Sequence, residues 1–220
     1  MFRVLNNYID TQMLKELSDW FNMEDGTLFS TSNVNYKGEP VDLHSKQIWF
    51  RDQLPCGLES VISSLFGESW SLEELLAAYG TYKVQVHSDA GIAENKPTYA
   101  MNIALDQEQE DNYTIFFDNH WLGNRAKFVK SGSAFKNSLN IQTEVTDYSD
   151  VVNYNNKPFD IKLYEHFLTH VPFENLHGLT VHSVVKNVPG TVITWPRTML
   201  HCGSNSKSNK LFMAAFLNKK

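Results

Sequence analysis

The chain has 220 residues, 42% hydrophobic and 20% charged, which fits one large or two small domains and excludes disordered or collagen-like composition. Its 14 Phe, 9 Tyr and 5 Trp can fill a sizeable core. The formal net charge of −6, with no Lys/Arg run, disfavours nucleic acid as a partner.

The two cysteines, Cys56 and Cys202, form neither a disulfide framework nor a C-x-x-C site, so a reducing compartment is expected. The opening MFRVLNNYIDTQ lacks the apolar core of a signal peptide, and no stretch approaches the roughly 20 apolar residues of a membrane span. The expectation is a cytoplasmic protein without a membrane partner.

Residues 10–23 predict a helix: Asp10 and Thr11 are possible caps, and Met13, Leu14, Leu17, Trp20 and Phe21 recur at helical spacing. A second helix is expected across 57–65. A third is expected from Ser71, with Glu73 and Glu74 in its first turn, to Gly80. Beyond Gly80 the period changes to two. TYKVQVH (81–87), TYAMNIALD (98–106) and TIFFDN (114–119) read as strands, with an acidic turn at 106–112. LTVHSVVK (179–186), TVITW (191–195) and KLFMAAFLN (210–218) follow, after a stretch that turns helical around 160–170. Helices first and strands afterwards predict a mainly β (α+β) fold, not an alternating βαβ one. One domain is expected over 1–220, with a helical support region (1–80) and a strand-rich body (81–218). The latter carries an insertion, 119–178, too long for an ordinary loop of about 4–6 residues. That insertion holds Trp121, Arg125, Phe128, Phe135, Tyr148, Tyr154, Phe159, Tyr164 and Phe167, which suit either a substrate-facing cover or a satellite core.

Phosphate-loop, dinucleotide, zincin and nucleophile-elbow motifs are absent from the sequence. His87-Ser88-Asp89 remains. At strand spacing, His87 and Asp89 project to one face and Ser88 to the other. An imidazole beside a carboxylate is two thirds of a two-His, one-carboxylate metal site, which leaves coordination positions open for chemistry. His201 is the best-placed third ligand. It follows a Pro189-Gly190 turn, a strand, a break at Pro196 and a short apolar segment. Its neighbour Cys202 should face the opposite side and pack in the core.

The stretch PGTVITWPRTMLHCG, together with H-S-D upstream, resembles the iron-binding core of the 2-oxoglutarate/Fe(II)-dependent oxygenases. The resemblance covers roughly 81–218. It implies a double-stranded β-helix, or jelly roll, with His87, Asp89 and His201 as catalytic metal ligands. It implies Fe(II) as cofactor, with 2-oxoglutarate and O₂ as cosubstrates. Lys210, nine positions after His201, falls where the family places the basic residue that holds the 5-carboxylate of 2-oxoglutarate. The commonest version has Arg there, and Lys lacks its bidentate fork. Lys207 competes for the role. Tyr99 and Asn102 lie on the strand where relatives place polar cosubstrate contacts. The implied reaction is oxidative decarboxylation to succinate and CO₂ coupled to hydroxylation of a small-molecule or peptidyl substrate. Two other classes share such a barrel: a cupin-type metal enzyme that does not use 2-oxoglutarate, and a metal-free binding protein.

Overall fold

The computed structural model describes residues 1–24, 27–34, 40–50, 54–55, 57–80, 84–89, 98–107, 111–128, 143–206 and 208–220. Lys207, residues 81–83 of the first expected strand, Cys56 and Phe135 lie outside the described residues.

Two helices form where the periodicity places them. The first, α1 (Thr11–Met23), is capped by Asp10, whose carboxylate accepts from Met13 N–H at 2.8 Å; Leu17 and Phe21 are buried on its inner face. The second, α2 (Leu58–Phe66), lies between Gly57 and Gly67, both at positive φ, and buries Leu58, Val61 and Ile62.

The rest is mostly β structure. The strands are β1 (Arg3–Leu5), β2 (Thr27–Val34), β3 (Pro40–Phe50), β4 (Trp70–Gly80), β5 (His87–Ser88), β6 (Thr98–Gln107), β7 (Tyr113–His120), β8 (Ala126–Phe128), β9 (Thr143–Val145), β10 (Val181–Lys186), β11 (Val192–Pro196), β12 (Met199–Gly203) and β13 (Lys210–Lys219). One sheet has the order β1-β11-β6-β13-β4-β3-β2 and the other β10-β7-β12-β5-β8-β9. All pairings are antiparallel except β8–β9. The chain passes from one sheet to the other between β4 and β5, β5 and β6, β6 and β7, β10 and β11, β11 and β12, and β12 and β13.

Alternation along the strands sorts the apolar side chains into three layers. Met101, Ile103, Met213, Ala215 and Leu217 face outward from the seven-stranded sheet onto Leu17, Phe21, Leu58 and Ile62 of the helices. Their neighbours Ala100, Ala214 and Phe216 face inward and meet Phe116, Val185 and Met199 of the six-stranded sheet, with Ile193 and Trp195. On the outer face of the six-stranded sheet, Ile115, Phe117, Leu200 and Cys202 are covered by Tyr148, Phe159, Leu168 and Leu176.

The helix expected from Ser71 to Gly80 is instead the long strand β4, seated between β13 and β3. Its run LLAAY is apolar on both faces. Leu75, Ala77 and Tyr79 join the helix-side layer and Leu76 the inter-sheet layer, so no period of two is visible. Pairing on both edges overrides the helix propensity of Glu, Leu and Ala. The first 80 residues are therefore not a helical support alone: with β1, β2, β3 and β4 they supply four of the seven strands of one sheet. The described aromatics of the 119–178 insertion form a satellite layer and not a cover over the inter-sheet space. Trp121, Tyr148, Tyr154, Phe159, Tyr164 and Phe167 all pack on the outer face of the six-stranded sheet. Helical turns at Ile161–Leu163 and Tyr164–Leu168 lie in it, near the expected 160–170.

Gly190 ties the N-terminus to this frame. Its carbonyl accepts from Tyr8 and Ile9 N–H, its own N–H donates to Ala104, and its φ is +85°. A Cβ there would come within 2.8 Å of the Ile9 carbonyl oxygen. Gly190→Ala should therefore cost about 1–3 kcal/mol of stability from backbone strain, read as a lowered denaturant midpoint at unchanged slope.

Candidate metal centre

Two neighbouring strands bring the three expected ligands together. β5 and β12 pair antiparallel with His87 directly opposite His201, so both imidazoles stand on the inner face. Their rings lie 4.2 Å apart between centroids. Asp89, just beyond β5, places its carboxylate between them: Oδ1 is 3.6 Å from His87 Nε2 and Oδ2 is 3.4 Å from His201 Nε2. The three ligand atoms lie within 4.8 Å of one another, and they form the cluster of His, Cys, Asp or Glu of metal-binding size found among the described residues. Bonds of about 2.1 Å at right angles would set donors about 3 Å apart, so a small contraction about one ion accommodates all three.

The orientation of each ring is set by its other nitrogen. His87 Nδ1 lies 2.8 Å from the Gln85 carbonyl and His201 Nδ1 lies 3.1 Å from the Met199 carbonyl. A carbonyl only accepts, so both Nδ1 atoms carry a hydrogen and both Nε2 atoms, which face the carboxylate, are the nitrogens left for a metal. His201 is further held by stacking on Phe116 and an edge contact with Trp195. Cys202 faces the opposite side, buried in the outer layer, and burial pushes its thiol pKa up.

Asp89 is positioned by a residue that sequence reasoning did not place. Arg197, in the turn between β11 and β12, donates through Nε and Nη2 to the Asp89 carbonyl at 3.2 and 3.0 Å. Its own carbonyl accepts from Asp89 N–H at 3.1 Å, and its Nη1 pairs with Glu73. The W-P-R-T turn held a basic residue two positions after Trp195, but nothing in its spacing indicated a partner in residue 89. Burial would raise the Asp89 pKa. The positive charges of His201, His87, Arg125 and Arg197 outweigh it and hold the carboxyl below its ordinary range.

The expected cosubstrate residues part company. Lys210 opens β13 on the inner face, with Phe212, Ala214 and Phe216, as its alternation implies. Its ammonium lies 5.2 Å from the centre of the Phe212 ring and has no carboxylate partner among the described residues. Burial lowers its pKa to about 8. Asn102 is paired with Ala214 and Ile193 and shares their inner face. Tyr99 does not belong to the site. It is three residues from Asn102, an odd spacing that sends it to the opposite face. There its ring packs against Phe66 and Trp70, and its hydroxyl accepts from the Met1 amino group.

No family model matches the chain, and no curated protein does. Solved structures do match over its whole length. The non-heme alpha-ketoglutarate-dependent epimerase SnoN of nogalamycin biosynthesis superposes with a TM-score of 0.54 at 9% identity, over 98% of this chain and 76% of that one. HygX from Streptomyces hygroscopicus, crystallised with nickel, 2-oxoglutarate and hygromycin B, gives 0.51 at 12% identity over 100% and 82%. A Pseudomonas putida prolyl-4-hydroxylase gives 0.50 at 8% identity over 100% and 92%. The chain has the fold of the 2-oxoglutarate/Fe(II)-dependent oxygenases. No helix among the described residues is long and apolar enough to cross a membrane.

The buried imidazole of His87 makes a pH prediction for the metal-free protein. Burial, and then the charge of His201, lower its pKa from 6.5 to about 4. As pH falls, the unfolded chain takes up this proton before the folded one does. The contribution is complete above about 6.5 and is lost as pH falls towards about 4. The loss should be on the order of 3 kcal/mol in denaturant unfolding, and His87→Gln should flatten that part of the pH profile.

Proposed function

We propose that the protein is a 2-oxoglutarate- and Fe(II)-dependent oxygenase that hydroxylates a small-molecule or peptidyl substrate. The observation that carries this reading is the meeting of His87 Nε2, His201 Nε2 and an Asp89 oxygen on one side of a common point, each already oriented by a partner. Two neutral imidazoles and one carboxylate suit a first-row divalent ion and leave half of an octahedron free. Bound there, Fe(II) would supply the activation of O₂ coupled to decarboxylation of 2-oxoglutarate.

Everything else is the work of the chain. His87, Asp89 and His201 hold the ion, and Asp89 supplies the one anionic ligand. Arg197 keeps the backbone of Asp89 fixed, so that its carboxylate need not reorganise on loading. Lys210 receives the distal carboxylate of 2-oxoglutarate. Its ammonium sits on an apolar face with no anion among the described residues, and an unpaired buried charge is costly until one arrives. Asn102 offers an amide on the same face. Phe116, Trp195, Met199 and Phe216 keep water from the inter-sheet space.

The topology supports the same reading. β4, β13, β6 and β11 in one sheet and β10, β7, β12 and β5 in the other, linked by sheet-to-sheet crossings, support reading the two sheets as a double-stranded β-helix. In that reading the chain is one oxygenase domain, 1–220, with β1, β2, β3 and the helices as additions to the larger sheet. The described aromatics of the 119–178 insertion pack on the outside of the smaller one.

Two outcomes test this. Asp89→Ala should abolish Fe(II)-dependent conversion of 2-oxoglutarate to succinate and weaken Co(II) binding by about tenfold or more, the charged ligand being worth a few kcal/mol. Retained turnover would refute the assignment. Lys210→Met should raise the dissociation constant for 2-oxoglutarate about tenfold to a hundredfold with Co(II) affinity little changed. Because free Lys210 loses its proton near pH 8, 2-oxoglutarate binding to the wild-type protein should weaken as pH rises above that value, and this dependence should vanish in Lys210→Met.

A further inference from the structure

The inner face of β13 carries a cation near each end. Lys210 stands at its start. Six residues on, about 20 Å along the strand, Phe216 lies 5.4 Å from the guanidinium carbon of Arg125. Arg125 comes from the opposite sheet. β5 and β8 pair His87 with Lys127 and Ser88 with Ala126, and Asp89 and Arg125 are the residues next beyond that last pair. Both His87 and Asp89 feel its positive charge.

Arg197 lies over the same phenyl ring, at 5.1 Å, but it is neutralised by Glu73 and donates to the Asp89 carbonyl. Arg125 has neither kind of partner among the described residues. Phe216 covers it with a group that accepts no strong hydrogen bond, so the guanidinium donors remain to be satisfied. The charges of the loaded centre point the same way. A divalent ion and Lys210 carry three positive charges, and Asp89 with a 2-oxoglutarate dianion carries three negative ones. The charge of Arg125 lies outside that balance, at the opposite end of the strand face from Lys210, as does that of the buried Lys127 opposite His87, which has an interaction of its own.

We propose that Arg125 receives a carboxylate of the primary substrate, and that the enzyme therefore acts on a small carboxylic acid. This rests on the oxygenase reading above. The planar fork of Arg takes a carboxylate through two parallel hydrogen bonds, which orients the substrate as well as holding it. Because its charge is felt by Asp89 and His87, a carboxylate held on Arg125 sets the rest of that molecule towards the metal position. Residue 125 thus determines which molecules enter and is separate from the group that anchors 2-oxoglutarate.

The test uses the full chain loaded with Co(II) and 2-oxoglutarate. The probes are the free amino acids, their carboxamides, N-acetyl dipeptides with a free C-terminus, and inorganic phosphate, read by the Co(II) absorption spectrum and by thermal shift. At least one amino acid should bind, with its carboxamide about tenfold to a hundredfold weaker. Arg125→Gln should erase that preference while the dissociation constant for 2-oxoglutarate stays within about twofold, and Arg125→Lys should keep part of it. Equal binding of acids and carboxamides, or no binding of any acid, overturns the proposal. So does preference for the dipeptides or for phosphate, which would make the ligand a peptide terminus or a phosphate ester. A tenfold loss of 2-oxoglutarate affinity in Arg125→Gln also overturns it, by moving Arg125 into the cosubstrate site. Failure of the wild-type protein to bind Co(II) or 2-oxoglutarate at all is a different result: it removes the oxygenase reading, and the proposal falls with it.

Discussion

The rung that pairs His87 with His201 across β5 and β12 is the contact on which the centre depends. It joins residues far apart in the chain and fixes both imidazoles on one face at van der Waals separation. A buried carboxylate is tolerated between them because the surrounding positive charges repay its lost hydration. Without that rung Asp89 would lose its imidazole partners, and without Asp89 no carboxylate would face the two Nε2 atoms. Each ring's Nδ1 hydrogen bond to a carbonyl two residues back is local to its own strand, so the strands carry their own tautomer control.

The two sheets supply dryness and order to this pairing. One face of each sheet is turned to the other, where Phe116, Trp195 and Phe216 close around the histidines. The opposite faces would be exposed apolar surface if bare. Helices α1 and α2 cover one, and the segment from Thr143 to Leu179 covers the other. The many aromatics of that segment are thus spent on holding the smaller sheet rigid from behind, which keeps His87 and His201 in register at the front.

Charge is distributed along the inner faces with little redundancy. Arg197 is committed to Glu73 and to the backbone of Asp89, and so serves position and not recognition. Lys210 and Arg125 lie towards the two ends of β13, each against a phenyl ring. Aromatic faces stabilise cations without satisfying their hydrogen bonds, which suits groups that must wait for an anionic ligand.

The sequence by itself picked out the three residues that cluster as candidate metal ligands, and most of the elements. H-x-D at strand spacing, a distal His after a turn and strand, the capped first helix, and the alternation at 98–106 and 210–218 are local patterns, and local sterics read them out directly. It misjudged β4 because a strand buried on both faces has no period, and Tyr99 because its place on β6 was not weighed against the parity of Asn102. Only the tertiary structure decided that Arg197 grips Asp89, that Arg125 stands beside it, and that the aromatic insertion backs the smaller sheet instead of covering the site. Each of these depends on which strands lie side by side. That choice is made by non-local pairing and burial, and no window of sequence around residue 125, 148 or 197 contains its partner.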